Sequence, residues 1–206
     1  MNKLLIVLAV LAFVISPSIA RAQSHEYSPL TEQTVNYKNW TLPSLTSDQQ
    51  EDLHKLVAGK KLVMVVYFAP WCPNWKYEAP IALKLYEKYK AQGFQVIGVS
   101  EYATRDDVRN YFGKDGPPYP VVTESESRED KQKTLHYQYR QLTGDKRNWG
   151  SPWNIFFEPS KLSASGELLT EKAWVVNGEL IEEEVDKFIA SKVGTATATM
   201  IEPCKP

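Results

Sequence analysis

Residues 61–80, KLVMVVYFAPWCPNWKYEAP, constrain this chain more than any other stretch. The first part, 62–69, is a continuous apolar run rich in Val and too short for a membrane span, so it reads as a buried strand. Pro70 stops it. After Trp71, Cys72 and Pro73 comes a mixture of charged and apolar residues, 75–89, whose spacing suits a helix. Proline at the first helical position has no amide to satisfy and a preset φ, which puts Cys72 at the helix N-cap. There the free amides and the positive end of the dipole favour a thiolate over a thiol, and only the thiolate attacks a disulfide. Cys72 is therefore the candidate nucleophile.

In these residues, FAPWCPNWKYEAP resembles the thioredoxin-superfamily motif FWAxWCxxCxxExP, in the form carried by exported TlpA/ResA-like thiol-disulfide oxidoreductases. The resemblance implies an α/β, thioredoxin-like fold with a central mixed β-sheet flanked by helices. It also implies that Glu78 tunes the cysteine's protonation and moves protons, and that Trp71 packs beside the nucleophile and shapes the partner surface. One residue departs from the motif: where the second, resolving cysteine should stand, this chain has Trp75. At three residues from Cys72, Trp75 sits one turn away on nearly the same face and reads as an apolar wall beside the sulfur. A disulfide within the motif is then impossible, leaving either a monothiol site or a site that has lost turnover, in which Trp75 fills space.

The chain of 206 residues, 43% of them hydrophobic, is long enough for a leader and one domain with a substantial core. With 24 basic against 25 acidic side chains, nothing favours broad attraction to nucleic acid or an anionic membrane, so partners are expected to be recognised by shape. Residues 1–22 combine Lys3, an apolar run over 4–15, Pro17 and small residues around Arg21, the pattern of a signal peptide cut after Ala22. As a permanent anchor the run falls short of the ~20 residues a span needs. The expected setting is an oxidising one, periplasmic or secreted, with membrane contact only through the leader.

Residues 23–32 read as a linker, 33–192 as the thioredoxin-like domain with an N-terminal extension, and 193–206 as a flexible tail. Short extended pieces are expected at 34–37 and 40–42. Ser47, with Gln50 as capping-box partner, predicts a helix up to Gly59. The run 94–100, FQVIGVS, predicts a second buried strand in a right-handed βαβ unit with the first. A helix is expected over 106–112 and a strand over 120–123. The charge-dense segment 124–148, with Leu135, Tyr139 and Leu142 at helical spacing, reads as a solvated helix. Residues 153–157, WNIFF, predict another strand, 173–176 a closing one, and 179–192 the last helix. By the resemblance, Pro152 is the superfamily's cis-proline facing the cysteine. Such a bond exposes the backbone of Ser151 beside the sulfur, where a substrate strand can pair.

The tail holds the other cysteine, Cys204. It stands open as a resolving thiol for Cys72, as its partner in a permanent bridge, or as an unrelated thiol that pairs with another chain. Other chemistries lack their residues. A peroxiredoxin needs Thr where Ala69 stands, Sco-type copper delivery needs Cys at Lys76, and no zinc spacing or phosphate-binding glycine loop appears. No cofactor or metal is expected. The reading is thiol-disulfide exchange at Cys72 with a protein thiol or disulfide, or a small thiol. In this reading Glu78 assists, the mixed disulfide is open to resolution by Cys204 or by an external thiol, and Trp71, Trp75, Ser151 and Pro152 form the substrate surface. Its alternative is a non-catalytic binding or chaperone-like module.

Overall fold

The computed structural model describes residues 24–47 and 49–194. Its strands are β1 (Tyr27–Ser28), β2 (Thr31–Lys38), β3 (Thr41–Pro43), β4 (Gln50–Asp52), β5 (Leu62–Phe68), β6 (Phe94–Ser100), β7 (Val121–Thr123), β8 (Trp153–Phe157), β9 (Leu168–Val176) and β10 (Glu179–Leu180). The helices are α1 (Leu53–Val57), α2 (Pro73–Tyr89), α3 (Arg105–Phe112), α4 (Leu135–Leu142) and α5 (Glu182–Val193). Six strands form one mixed sheet in the order β2-β9-β8-β5-β6-β7. β5 runs parallel to β6 and antiparallel to β8. This is the expected thioredoxin-like arrangement.

The continuous apolar character of 62–68 has a direct cause. Successive side chains of a strand point to opposite faces, and both faces of β5 are covered. Leu62, Met64, Val66 and Phe68 pack with Trp75, Leu85 and Tyr89 of α2 and Val185 and Ile189 of α5. Val63, Val65 and Tyr67 pack with Leu53 and Val57 of α1, Tyr139 of α4 and Trp153. A strand with no wet face has no place for a polar alternation.

Three expectations are corrected. The helix placed from Ser47 begins only at Leu53, because 50–52 pair antiparallel with β3 first. Its cap is Asp52, whose carboxylate accepts the Lys55 N–H at 3.1 Å, while Ser47 Oγ accepts the Gln49 N–H in a turn. The last helix starts at Glu182, since Glu179 and Leu180 form β10, parallel to β1 in the segment read as linker. The 124–148 segment is not a wet face throughout. His136, Tyr139, Arg140 and Asp145 are buried, while Leu142, expected on the apolar side, is 54% exposed.

The buried charges of that segment pair with one another, although Arg140 Nη1 is left without a partner. Asp145 accepts from Arg140 Nε at 3.0 Å and from Arg147 Nη2 at 2.8 Å. Burial pushes the Asp145 carboxyl up, but hydrogen bonds and charge from Arg147, with the charge of Arg140, hold it below the usual carboxylate range. Arg140 Nη2 also donates to the Arg147 carbonyl, so the segment closes on itself.

Candidate active site

The site lies at one end of the sheet because of strand pairing. Tyr67 near the end of β5 is opposite Trp153 at the start of antiparallel β8, so the residues following β5 meet those preceding β8. Cys72 is the N-cap of α2, with Pro73 at the first helical position as its sequence requires. Its N–H donates to Ala69 O at 2.9 Å and its carbonyl accepts the Lys76 N–H at 3.2 Å. The Cys72 side chain contributes no cap of its own. Instead Sγ donates to the Ser151 carbonyl at 3.1 Å.

The Ser151–Pro152 bond is cis. Ser151 is buried, and its Oγ accepts the Ala69 N–H at 2.8 Å, tying the loop to the turn that carries Cys72. The Ser151 carbonyl, expected to lie free for a substrate strand, is taken by the thiol.

Two further anchors come from His136, whose place in the sequence favours a structural or exposed role, and from Arg147, which no motif marks. His136 Nε2 lies 3.2 Å from Gly150 O, and Nδ1 lies 3.2 Å from the Tyr102 hydroxyl. Burial, with the charge of Arg140, holds the His136 ring well below its usual pKa, so it is neutral: it donates to Gly150 and accepts from Tyr102. On the other side of the loop, Arg147 Nη2 donates to Pro152 O at 2.8 Å. The charge-dense segment thus holds the loop in a clamp at the residues on either side of Ser151.

Gly150 sits in this clamp at φ +60°, and a Cβ there would collide with the Arg140 guanidinium. Gly150→Ala is therefore expected to displace the loop, costing more than ~1 kcal/mol from backbone strain alone. A urea titration that leaves the midpoint unchanged would contradict this packing.

Trp75, read from its spacing as an apolar wall beside the sulfur, lies in the same buried cluster as Cys72. It is fully buried and stacks on Phe68 at 4.4 Å, with Tyr111 and Phe112 at 6.4 Å. The helix face at position 75 turns inward onto β5, so the indole has no surface to offer a substrate. Burying an aromatic of this kind removes ~150–250 Å² from water, on the order of 4–6 kcal/mol. Where the motif has a cysteine, this chain has a piece of core.

Glu78 is likewise inside, not on an exposed helix face. Its Oε2 accepts the Leu180 N–H at 2.8 Å and Asn154 Nδ2 at 3.3 Å, and Oε1 is buried without a partner. Burial pushes the carboxyl up to about 8, against the opposing pull of those two hydrogen bonds. At neutral pH it therefore holds a proton, carried on Oε1 since Oε2 is already an acceptor twice. Its hydrogen bonds go to β8 and β10 rather than to Cys72. Asn154 was legible as a clue: it is the one polar residue in WNIFF, and a buried amide demands partners.

Trp71 is half-buried, its Nε1 donating to Tyr102 O at 3.1 Å and its ring edge-on to Trp149 at 5.4 Å. It borders a groove of about 520 Å³ that also takes in Pro70, Lys76, Tyr102 and Arg128. Cys204 lies outside the described residues. No helix among the described residues is long and apolar enough to cross a membrane.

This geometry, a cysteine at a helix N-cap facing a cis-proline loop at one end of a mixed sheet, defines a thioredoxin-like site. Residues 32–145, more than half of the chain, match the Redoxin family, and the chain belongs to it. It is 31% identical over 93 residues to "Probable protein disulfide-isomerase A4" of Caenorhabditis elegans, a match that takes in 45% of this chain and only 13% of that protein. Among solved structures, it resembles the thioredoxin domain of a thiol-disulfide oxidoreductase from Bacteroides vulgatus at 21% identity and TM-score 0.54, over 80% of this chain and 99% of that one. A thiol:disulfide interchange protein from Chlorobium tepidum is similar at 20% identity and TM-score 0.51, over 79% and 98%. These two likenesses are of fold.

Proposed function

We propose that this protein is an exported thiol-disulfide exchange protein that works through Cys72 alone in its motif. The observation that carries the reading is the placement of Cys72 Sγ, at a helix N-cap and 3.1 Å from the Ser151 carbonyl, with core-bound Trp75 where a resolving cysteine would stand. The proposed reaction has two exchanges. The Cys72 thiolate attacks one sulfur of a disulfide, forming a mixed disulfide and releasing the other sulfur as a thiolate. A second thiolate then attacks the mixed disulfide, takes the substrate sulfur into a new disulfide and returns Cys72. Electrons balance without a cofactor.

The second thiol is proposed to come from outside the chain. α5 runs parallel to α2, as the pairs Lys84–Glu182 and Lys88–Asp186 show, so α5 ends past the C-terminus of α2, at the pole opposite Cys72. Counting helical rise from Cys72 to Lys88 and from Asp186 to Gly194 gives ~36 Å. Fully extended, the ten residues from Gly194 to Cys204 span ~33–36 Å. Cys204 could resolve its own Cys72 only with every residue stretched, which disfavours it against a free thiol. Export is supported by the leader-like pattern of residues 1–22. The protein and small-thiol substrates, and the substrate role of Trp71, belong to the same reading.

The Cys72→Ser variant is expected to lose thiol-dependent reduction of a small disulfide to the uncatalysed level. Equal activity in the variant would overturn the reading. A wild-type protein without any such activity, but with Cys72-independent peptide binding, would instead favour a binding module.

A further inference from the structure

Beside Trp71, the residue before Cys72, the cations Arg128 and Lys76 line one groove. The Arg128 guanidinium lies 4.1 Å from the Trp71 ring and 5.6 Å from that of Trp149, and Lys131 Nζ lies 4.9 Å over Trp149. Stacking of this kind holds the guanidinium flat while leaving its N–H edge free, and that edge matches a carboxylate. Neither Arg128 nor Lys76, which lines the same groove, makes an ion pair among the described residues. The groove also holds the carboxylate of Asp107, whose Oδ2 accepts the Thr104 N–H at 3.2 Å and the Thr104 hydroxyl at 2.7 Å, so the two cations outnumber one acid. At about 520 Å³ the groove is large enough to take a small molecule.

We propose that this groove binds the carboxylate of a small anionic thiol or disulfide, the exchange partner of Cys72, with Arg128 and Lys76 as the recognising cations. The proposal rests on the exchange reading and names its substrate class. Cys72 attacks the disulfide of the bound compound, RSSR, giving Cys72–S–S–R and RS⁻. A second, different thiolate, R′S⁻, then attacks the R sulfur of Cys72–S–S–R, leaves as the new disulfide RSSR′ and returns the Cys72 thiolate. The cations place the sulfur and attract the anion but move no electrons.

The test uses the full chain and three small disulfides: dithiodiglycolate, which is anionic, hydroxyethyl disulfide, which is neutral, and cystamine, which is cationic. The rate of adduct formation is followed on the Cys72 peptide by mass, and each is divided by the rate with the urea-unfolded chain to remove intrinsic reactivity. At low salt the anionic compound is expected to exceed the neutral one about threefold to fivefold, the size of an exposed charge contact, with the cationic compound slowest. That ratio should fall at high salt and in Arg128→Gln and Lys76→Gln, but not in Lys187→Gln on α5. Lys76→Gln leaves the tryptophan stacking untouched, so a folding defect in the Arg128 variant does not decide the matter. A ratio near one, or a ratio that neither groove variant moves, overturns the proposal and leaves exchange at Cys72 standing. Failure of all three compounds to modify Cys72 overturns the exchange reading as well.

Discussion

Asp145→Ala is expected to remove ~3–5 kcal/mol of stability at neutral pH, the range seen when one member of a buried ion pair is deleted. Arg140 is 1% exposed and loses its Nε acceptor, while one of its terminal nitrogens, Nη1, is already buried without a partner. Arg147 keeps Glu26 at 3.2 Å but loses both of its side-chain bonds to Asp145, which orient the nitrogen that donates to Pro152 O. The contrast within the same charged segment is instructive. Asp130 pairs with Lys133 at 2.7 Å, with both side chains well exposed, and Asp130→Ala should leave the urea midpoint essentially in place. Equal effects of the two substitutions would mean that the segment does not act as the clamp described.

Glu78→Gln is expected to change how stability depends on pH. Below about pH 4.5 the Glu78 carboxyl carries its proton in both folded and unfolded chains; between there and about 8 only the folded chain keeps it. The folded state then binds the extra proton, so stability falls as pH rises through this window and levels off above it. The total loss is up to ~5 kcal/mol, at ~1.4 kcal/mol for each pH unit. Gln imitates the protonated acid: its oxygen accepts from Leu180 and Asn154, and its amide takes the place of the orphaned Oε1. Urea unfolding of both proteins from pH 4 to 9, with reductant present, should show the variant gaining on the wild type as pH rises. Buried Glu101, whose carboxyl burial also pushes up, is common to both and cancels in the comparison. Parallel profiles would place the proton elsewhere.

The parts of the molecule that could be read from sequence are those whose cause is local. An unbroken apolar run means a strand covered on both faces, and both 62–68 and 94–100 are such strands. Proline after Cys72 fixes the helix start, and the cap falls there. What could not be read depends on distant partners. The charge pattern of 124–148 looks the same whether Arg140 meets water or Asp145, and only the fold back onto the sheet separates the two. Helical spacing correctly placed Trp75 one turn from Cys72 but could not say which way that face points. Glu78 was identifiable through its motif, while its burial depends on β8 and β10, which approach α2 only in the folded chain. The start of the last helix was misplaced for a similar reason: Glu179 and Leu180 are claimed by a strand more than 150 residues earlier, through the Tyr27–Glu179 and Ser28–Leu180 pairs.

The central claim is that Cys72 is a working exchange thiol in the folded protein. The direct measurement is to challenge the native full-length chain with a small disulfide, quench with acid, and determine the mass of the peptide holding Cys72 before and after a second, free thiol is added. A one-to-one adduct on Cys72 that forms in the native state and is released by the added thiol is the expected result. A Cys72 that stays unmodified in the native state, and reacts only once urea has unfolded the chain, would contradict it.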